Sequence, residues 1–316
     1  MFLFAHIDSI TLPLEDPILK FLLILVIIPH NPLAINANNA TRWLGIKGTV
    51  LRFQPSEIAK LAVVIYFSAT ISKKREKMQT WRQGIWPYLL ILGVIAGLMM
   101  LEPHLSGTIL IVCTGIVLMI VGGIKGWLIP TGIVGVGLVG TLYVTLVKKG
   151  ILHYGEDRIN TWRDPFNADW YRGDGWQIAQ CLIAIGSGGI FGNGLFGDRY
   201  YSVPNAHNDF ILSWIGNSAG FVGCCVVLGV LFAIVVRTFL TGARSEDLLG
   251  TFICAGIGGA LMAQIAVNVG MNLRVLPVIG VTLPFYSAGG SSVMMLYICV
   301  GLVLSVYIHN TKKLFG

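Results

Sequence analysis

Seven stretches of this chain contain no Asp, Glu, Lys or Arg: 21–41, 83–101, 103–124, 126–147, 210–236, 248–273 and 275–311. Each is near or above the ~20 residues an α-helix needs to cross ~30 Å of hydrocarbon. A transmembrane β-barrel would alternate polar and apolar residues in short segments. These stretches do not alternate, so they read as helices. A water-soluble domain must cover itself with charge, yet only 12% of the 316 residues are charged and 55% are hydrophobic. Soluble proteins carry roughly 25% charge. Composition also excludes disorder, collagen and a secreted disulfide scaffold. What remains is an all-α polytopic membrane protein.

Eight transmembrane helices are predicted, at about 17–35, 55–72, 84–101, 106–124, 127–147, 208–236, 248–271 and 290–309. With the N-terminus cytoplasmic, the inner side holds ten basic residues: Lys73, Lys74, Arg75, Lys77, Arg82, Lys125, Arg237, Arg244, Lys312 and Lys313. The short outer loops hold four, Arg42, Lys47, Arg52 and Arg274. The positive-inside bias therefore places both termini in the cytoplasm. Segment 175–197 is also free of charge, but it holds Gln177, Gln180 and a run of glycines. It reads as an amphipathic helix on the outer interface followed by a Gly-rich turn. The opening MFLFAHIDSITLPLEDP has no basic n-region or cleavage site and does not read as a signal peptide. The cysteines show no metal or redox spacing and read as apolar filler. The net charge of +7 suits anionic lipid, and no nucleic-acid partner is expected.

The chain reads as one membrane domain, 1–316, with a large extracytoplasmic loop at 148–208. Counting Asp209 at its end, the loop holds thirteen of the charged residues. Loops of such length are uncommon unless functional or disordered, and this one is too aromatic for disorder. Asp209, at the outer end of a long apolar span, reads either as a helix N-cap or as a general base. His207 is beside it. Glu57 and Lys60 are spaced i, i+3 inside a predicted span, where ionisable groups are costly and usually functional; the alternative is a self-paired couple with Lys60 snorkelling outward. Arg42 and Trp43 read either as a phosphate grip or as an interface anchor. In 276–292, LPVIGVTLPFYSAGGSS, prolines and glycines interrupt an apolar run. Broken backbone at membrane depth is tolerated only inside protein or along a cavity. Ser291 and Ser292 are predicted to cap the last helix, whose amides would suit an anion.

With these residues in hand, the chain resembles the SEDS family, the FtsW/RodA/SpoVE group of bacterial cell-wall proteins. The matching stretches are NNATRW (38–43), FQPSEIAKL (53–61), LEPHLSGTILIV (101–112), WQIAQCLIAIGSGGIFGNGL (176–195), VPNAHNDFI (203–211) and LPVIGVTLPFYSAGGSS (276–292). LEPHLSGT looks more like the FtsW/SpoVE branch than the RodA branch. The resemblance implies ten membrane helices in the bacterial cytoplasmic membrane. It also implies a peptidoglycan glycosyltransferase that polymerises lipid II on the outer face, serving cell division or sporulation. A class B penicillin-binding protein would be its partner, with other division or elongation proteins.

The resemblance assigns the essential acid to Asp209, as general base. Substrate binding falls to Arg42, Trp43, Glu57, Lys60, His207, Ser291 and Ser292. Arg42, Lys60 or a divalent cation, Mg or Mn, would stabilise the departing pyrophosphate. No metal-ligand cluster is visible in the sequence, so no metal site is assigned. The chain departs from the family pattern in several places. It begins at what resembles the third helix, which suggests a shortened gene model or paralogue. Asn205, Asn217, Ser218 and Ala288 stand where Glu, Glu, Glu and Tyr are usual. These departures keep two other readings open, a non-catalytic scaffold of the division machinery and a lipid II transporter.

Overall fold

The computed structural model describes residues 34–37, 40–45, 52–101, 104–130, 132, 134, 141, 145, 156–167, 174–194 and 206–315. Most of them are helical, as expected of an all-α membrane protein. Among the described residues, four helices are long and apolar enough to cross a membrane: Trp81–Met100, Ile211–Ala243, Leu248–Asn272 and Gly290–Thr311. A shorter apolar helix covers Leu105–Val121. The chain divides into two compact units.

The first unit comprises Met1–Lys125, Ile234–Ala263 and Gly289–Gly316. It contains an antiparallel sheet of β1 (Ala34–Ala37), β2 (Ala40–Gly45) and β3 (Arg52–Phe53), in that order. The predicted helix 17–35 is corrected at its end, because Ala34 and Ile35 are in β1; residues 17–33 lie outside the described residues. Asn38 and Asn39, turn-forming types, separate β1 from β2. Charge counting could not reveal this hairpin, since it continues a charge-free run.

Helix α1 (Pro55–Lys74) starts with Pro at its first turn, where the missing N–H costs nothing. It ends on Lys73 and Lys74, which suit the negative end of the helix dipole. Ala59, Val63, Phe67 and Ile71 are all buried at four-residue spacing, one stripe of the helix. A 3-10 turn (Arg75–Gln79) and a π-helical turn (Trp81–Ile85) lead into α2 (Trp86–Leu101). Helix α3 (Leu105–Val121) packs against both α1 and α2. The first part of α7 (Leu248–Asn272) approaches through glycines. A Cβ on Gly256 would lie 2.9 Å from Val64 Cγ1, and one on Gly259 would lie 2.6 Å from Val117 Cγ1. Small residues allow such close helix contact within a bilayer. Helix α8 (Gly290–Phe315) packs against α1 and β3.

The second unit comprises Gly126–Ala233 and Gln264–Ala288. Of the predicted helix 127–147, residues 127–130, 132, 134, 141 and 145 are described; Trp127 is in a turn and the others are helical. The long loop is not irregular throughout. It contains α4 (Glu156–Arg163) and α5 (Asp174–Gly188). At 15 residues, α5 is about 22 Å long, too short to span the hydrocarbon. Helix α6 (Ile211–Ala243) runs further than predicted, so Arg237 is within a helix and not in a loop.

Gly220 breaks α6 with φ 66° and ψ −164°. The broken turn is capped from outside. Asn193 and Gly194 donate their N–H groups to Asn217 O and Ser218 O at 2.9 and 3.0 Å. In return, Phe221 and Val222 donate to Gly189 O and Ile190 O at 2.9 and 3.1 Å. Asn217 Nδ2 donates to Ser187 Oγ at 2.8 Å and to Ala184 O at 3.3 Å. Four backbone groups at the kink therefore find partners outside the helix, as irregular backbone at membrane depth requires.

Candidate active site

Asp209 lies just before α6. The N-cap reading of this residue is overturned, since no helix N–H among the described residues donates to its carboxylate. Phe210 holds the cap position instead, and its carbonyl accepts from Ser213 N at 3.0 Å. Phe210 is fully buried against Cys181 and Ala184 of α5, with Val278 and Ala206 alongside. That packing anchors the chain next to Asp209.

The Asp209 backbone is held by α7. Its carbonyl accepts from Asn268 Nδ2 at 2.9 Å and from Asn272 Nδ2 at 3.2 Å. Asn268 also donates to Val281 O at 2.7 Å, and Gln264 Nε2 donates to Thr282 O at 3.0 Å. Gln264, Asn268 and Asn272 are spaced four apart and share one face of α7. They form an amide ladder that binds the helix to the non-helical segment 273–288. Ser213 Oγ donates to Asn272 Oδ1 at 2.7 Å and closes the network. Sequence reasoning missed these residues because none is charged. The signal was there, in amides at i, i+4 and i+8 within a charge-free span.

The break predicted in 276–292 is present, and its far end closes on the same site. Ser287 Oγ donates to Asn208 O at 2.6 Å, and Ala288 N donates to His207 O at 2.8 Å. Gly280 has φ 74°, and a Cβ there would lie 3.3 Å from Asp209 Oδ2. Glycine serves both needs at this position, a left-handed backbone and a clear face on the carboxylate. Burial raises the Asp209 carboxyl above its ordinary range. The carboxylate is half-buried, accepts no hydrogen bond among the described residues and keeps open contact, which makes it a stronger base than a solvated aspartate. His207 is exposed, and its ring makes no hydrogen bond to Asp209.

The remaining candidates belong to the first unit. Glu57 and Lys60 form an ion pair, Nζ to Oε1 2.7 Å, with side chains 12% and 14% exposed. Lys60 thus folds back on its neighbour and does not snorkel outward. Cys299 of α8 lies within electrostatic range of both. Gln54 Nε2 donates to His104 Nε2 at 2.7 Å, which ties the start of α1 to the start of α3. A Cβ on Gly107 would meet the His104 ring at 2.2 Å, so that glycine seats the histidine. Arg42 and Trp43 lie on β2. Trp43 pairs with Ile35 and Thr41 with Asn36, which leaves Arg42 unpaired at a β-bulge. Bulges re-aim a strand locally and recur beside active sites.

Ser291 and Ser292 do not cap α8, which corrects the prediction. The helix starts at Gly290, and Gly289 O accepts from Val293 N at 2.8 Å. The serines fall inside the first turn because the two glycines before them make the entry. Ser291 is 3% exposed and its Oγ has no hydrogen-bond partner.

Long apolar helices, a kinked span with external caps and a half-buried carboxylate at a span's end define a polytopic membrane protein with a candidate site at Asp209. The chain belongs to the FtsW/RodA/SpoVE family, described as cell cycle proteins, whose family model matches residues 12–312. It is 34% identical over 292 residues to a probable peptidoglycan glycosyltransferase FtsW of Geobacter sp., covering 90% of this chain and 76% of that one. A protein of the same name from Burkholderia thailandensis is 35% identical over 300 residues, 93% of this chain and 63% of the relative. Stage V sporulation protein E of Bacillus subtilis is 32% identical over 291 residues, 90% of this chain and 76% of the relative.

Two solved structures share the fold. One is a chain of a peptidoglycan synthase complex in which polymerization and crosslinking are coordinated. Its TM-score is 0.75 at 26% identity, over 98% of this chain and 82% of that one. The other is the rod shape determining protein RodA of Thermus thermophilus, with TM-score 0.63 at 26% identity, over 98% of this chain and 80% of that one.

Proposed function

We propose that this chain is a peptidoglycan glycosyltransferase of the FtsW/SpoVE branch that polymerises lipid II, with Asp209 as general base. The relatives' names support the activity. The observation that carries the mechanism is the setting of Asp209, a half-buried carboxylate with no N–H donor among the described residues, its backbone held by two amides and its side chain faced by a glycine. Asp209 takes the proton from the acceptor sugar's hydroxyl as that oxygen attacks the donor's anomeric carbon. The bond from that carbon to pyrophosphate breaks on the opposite face, and its electrons leave with the pyrophosphate. The configuration inverts.

Arg42, Glu57, Lys60, Ser291 and Ser292 are assigned to substrate binding on their family motifs. The Glu57–Lys60 pair supports this role, because a phosphate can replace Glu57 as the partner of Lys60. Trp43 and His207 are kept as substrate contacts on the same basis. Among the described residues, no three His, Cys, Asp or Glu side chains converge as metal ligands. A divalent cation would therefore rely on substrate phosphates, and no step is derived through it. The site faces outward and both termini are cytoplasmic, on the charge bias. The partner is a class B penicillin-binding protein, in keeping with the synthase complex that shares the fold.

The test is polymerisation of labelled lipid II by purified chain with its penicillin-binding partner. Wild type makes glycan strands and Asp209→Ala makes none. Equal polymer from the variant removes Asp209 as base. If Asp209→Ala instead rescues a deletion strain, the chain is a scaffold.

A further inference from the structure

The second unit contains a cavity of about 480 Å³ lined by Trp162, Arg163, Leu273 and Arg274. It lies where the end of α4 meets the chain leaving α7. Arg274 has φ 59°, a left-handed backbone that non-glycine residues rarely adopt. Its guanidinium donates to Trp162 O at 2.8 Å through Nε, and to Arg163 O through Nη2. Trp162 Nε1 returns a bond to Arg274 O at 3.0 Å. The remaining N–H groups of Arg274 are unused. The Arg163 guanidinium has no hydrogen-bond or ion-pair partner among the described residues. Two arginines thus line one cavity, and among the described residues neither has a carboxylate partner. Leu273 of the lining is 50% exposed, and the apolar residues next along the chain, Val275 and Leu276, are 67% and 38% exposed, an apolar edge beside the cavity. Asn272, which donates to Asp209 O, precedes Arg274 by two residues, at most about 7 Å of chain.

We infer that this cavity binds the phosphate of a membrane lipid, and specifically the pyrophosphate of the polyprenyl-linked substrate whose sugar reaches Asp209. Paired guanidinium forks match phosphate oxygens. An apolar rim suits a ligand presented from a bilayer. A free cytosolic anion would not need it. The choice of a polyprenyl carrier rests on the glycosyltransferase reading; the phosphate chemistry does not.

The test uses the full chain in nanodiscs of phosphatidylcholine, titrated with farnesyl pyrophosphate, with and without phosphatidylglycerol in the disc. Arg163→Ala should weaken binding about tenfold, and Arg163→Glu more. Because the Arg163 side chain is exposed and makes no hydrogen bond or ion pair among the described residues, the fold should hold, and circular dichroism checks it. Arg274→Lys keeps the charge, loses the fork and should weaken binding less than Arg163→Glu. Binding of the folded Arg163→Glu variant within twofold of wild type overturns the inference. If phosphatidylglycerol abolishes pyrophosphate binding in wild type, the cavity serves bulk headgroups and the substrate assignment is overturned. Asp209→Asn should bind farnesyl pyrophosphate normally while making no polymer. A chain that makes no polymer but loses binding on Arg163→Glu sinks the enzyme reading and leaves the lipid-phosphate site standing.

Discussion

At the scale of single residues, Asp209 sets two expectations with opposite signs for activity and stability. Burial raises its folded carboxyl above the ordinary value. As the proposed base, Asp209 acts in its ionised form, so the acid limb of the polymerase pH profile should lie above the usual carboxylate range, which is near 4. A raised folded pKa contributes stability below the unfolded pKa, and that contribution is lost as pH rises through the folded value. Asp209→Asn should therefore abolish polymer yet unfold at a higher temperature than wild type at pH 7. The two proteins should converge near pH 4. Thermal unfolding in detergent at both pH values checks this, and a variant less stable at pH 7 contradicts the desolvation argument. Gly280 supplies a second expectation. Gly280→Ala places a methyl 3.3 Å from Asp209 Oδ2 on a backbone with φ 74°. It should cost about 1 kcal/mol or more of stability and lower kcat more than it raises KM.

At the scale of elements, the fold was legible wherever charge marks a boundary. The spans at 84–101, 106–124, 248–271 and 290–309 agree with the helices to within a few residues, because a bilayer excludes charge from their middles. The break in 276–292 was legible because proline and glycine act through the local backbone. Neither the amide ladder nor the kink was legible, as both depend on segments that meet only after folding. Gly188, Gly192 and Gly220 illustrate this. A Cβ on Gly192 would lie 2.2 Å from Ser218 O, and one on Gly188 would lie 1.8 Å from Gly216 O, about 30 residues away in the chain. Gly192→Ala should thus destabilise by at least about 2 kcal/mol, read as a fall in unfolding temperature. The ladder gives a comparable expectation. Asn268→Ala leaves Asp209 O with one weaker donor and Val281 O with none, a loss of about 1–3 kcal/mol. Amide exchange should quicken across 278–283, whereas the spans of the first unit should be unchanged. Asn217 shows why a departure from the family pattern can be structural. Its amide donates to Ala184 O and Ser187 Oγ, and a carboxylate at this position could not donate to that carbonyl.

At the scale of the whole molecule, scarcity of charge does two jobs. It lets the helices enter lipid, and it makes the few charges that remain decisive for orientation. Lys73 and Lys74 end α1, and Arg75 and Lys77 follow in a 3-10 turn whose residues are mostly exposed. Moving such a cluster through the hydrocarbon is far costlier than holding it in the cytoplasm. Segment 156–167 holds charges of both signs, so no such bias retains it inside. Cysteine labelling in intact cells separates the two sides. Phe166 is 50% exposed in the segment after α4, and Glu76 is exposed in the turn after α1. Phe166→Cys should react with a membrane-impermeant maleimide above the signal of the parent's own cysteines. Glu76→Cys should react only after the cells are permeabilised. The reverse pattern would turn the molecule over and place Asp209 on the cytoplasmic side, against the outward-facing site proposed above. Labelling of both positions from outside would mean that the segment between them crosses the membrane an even number of times.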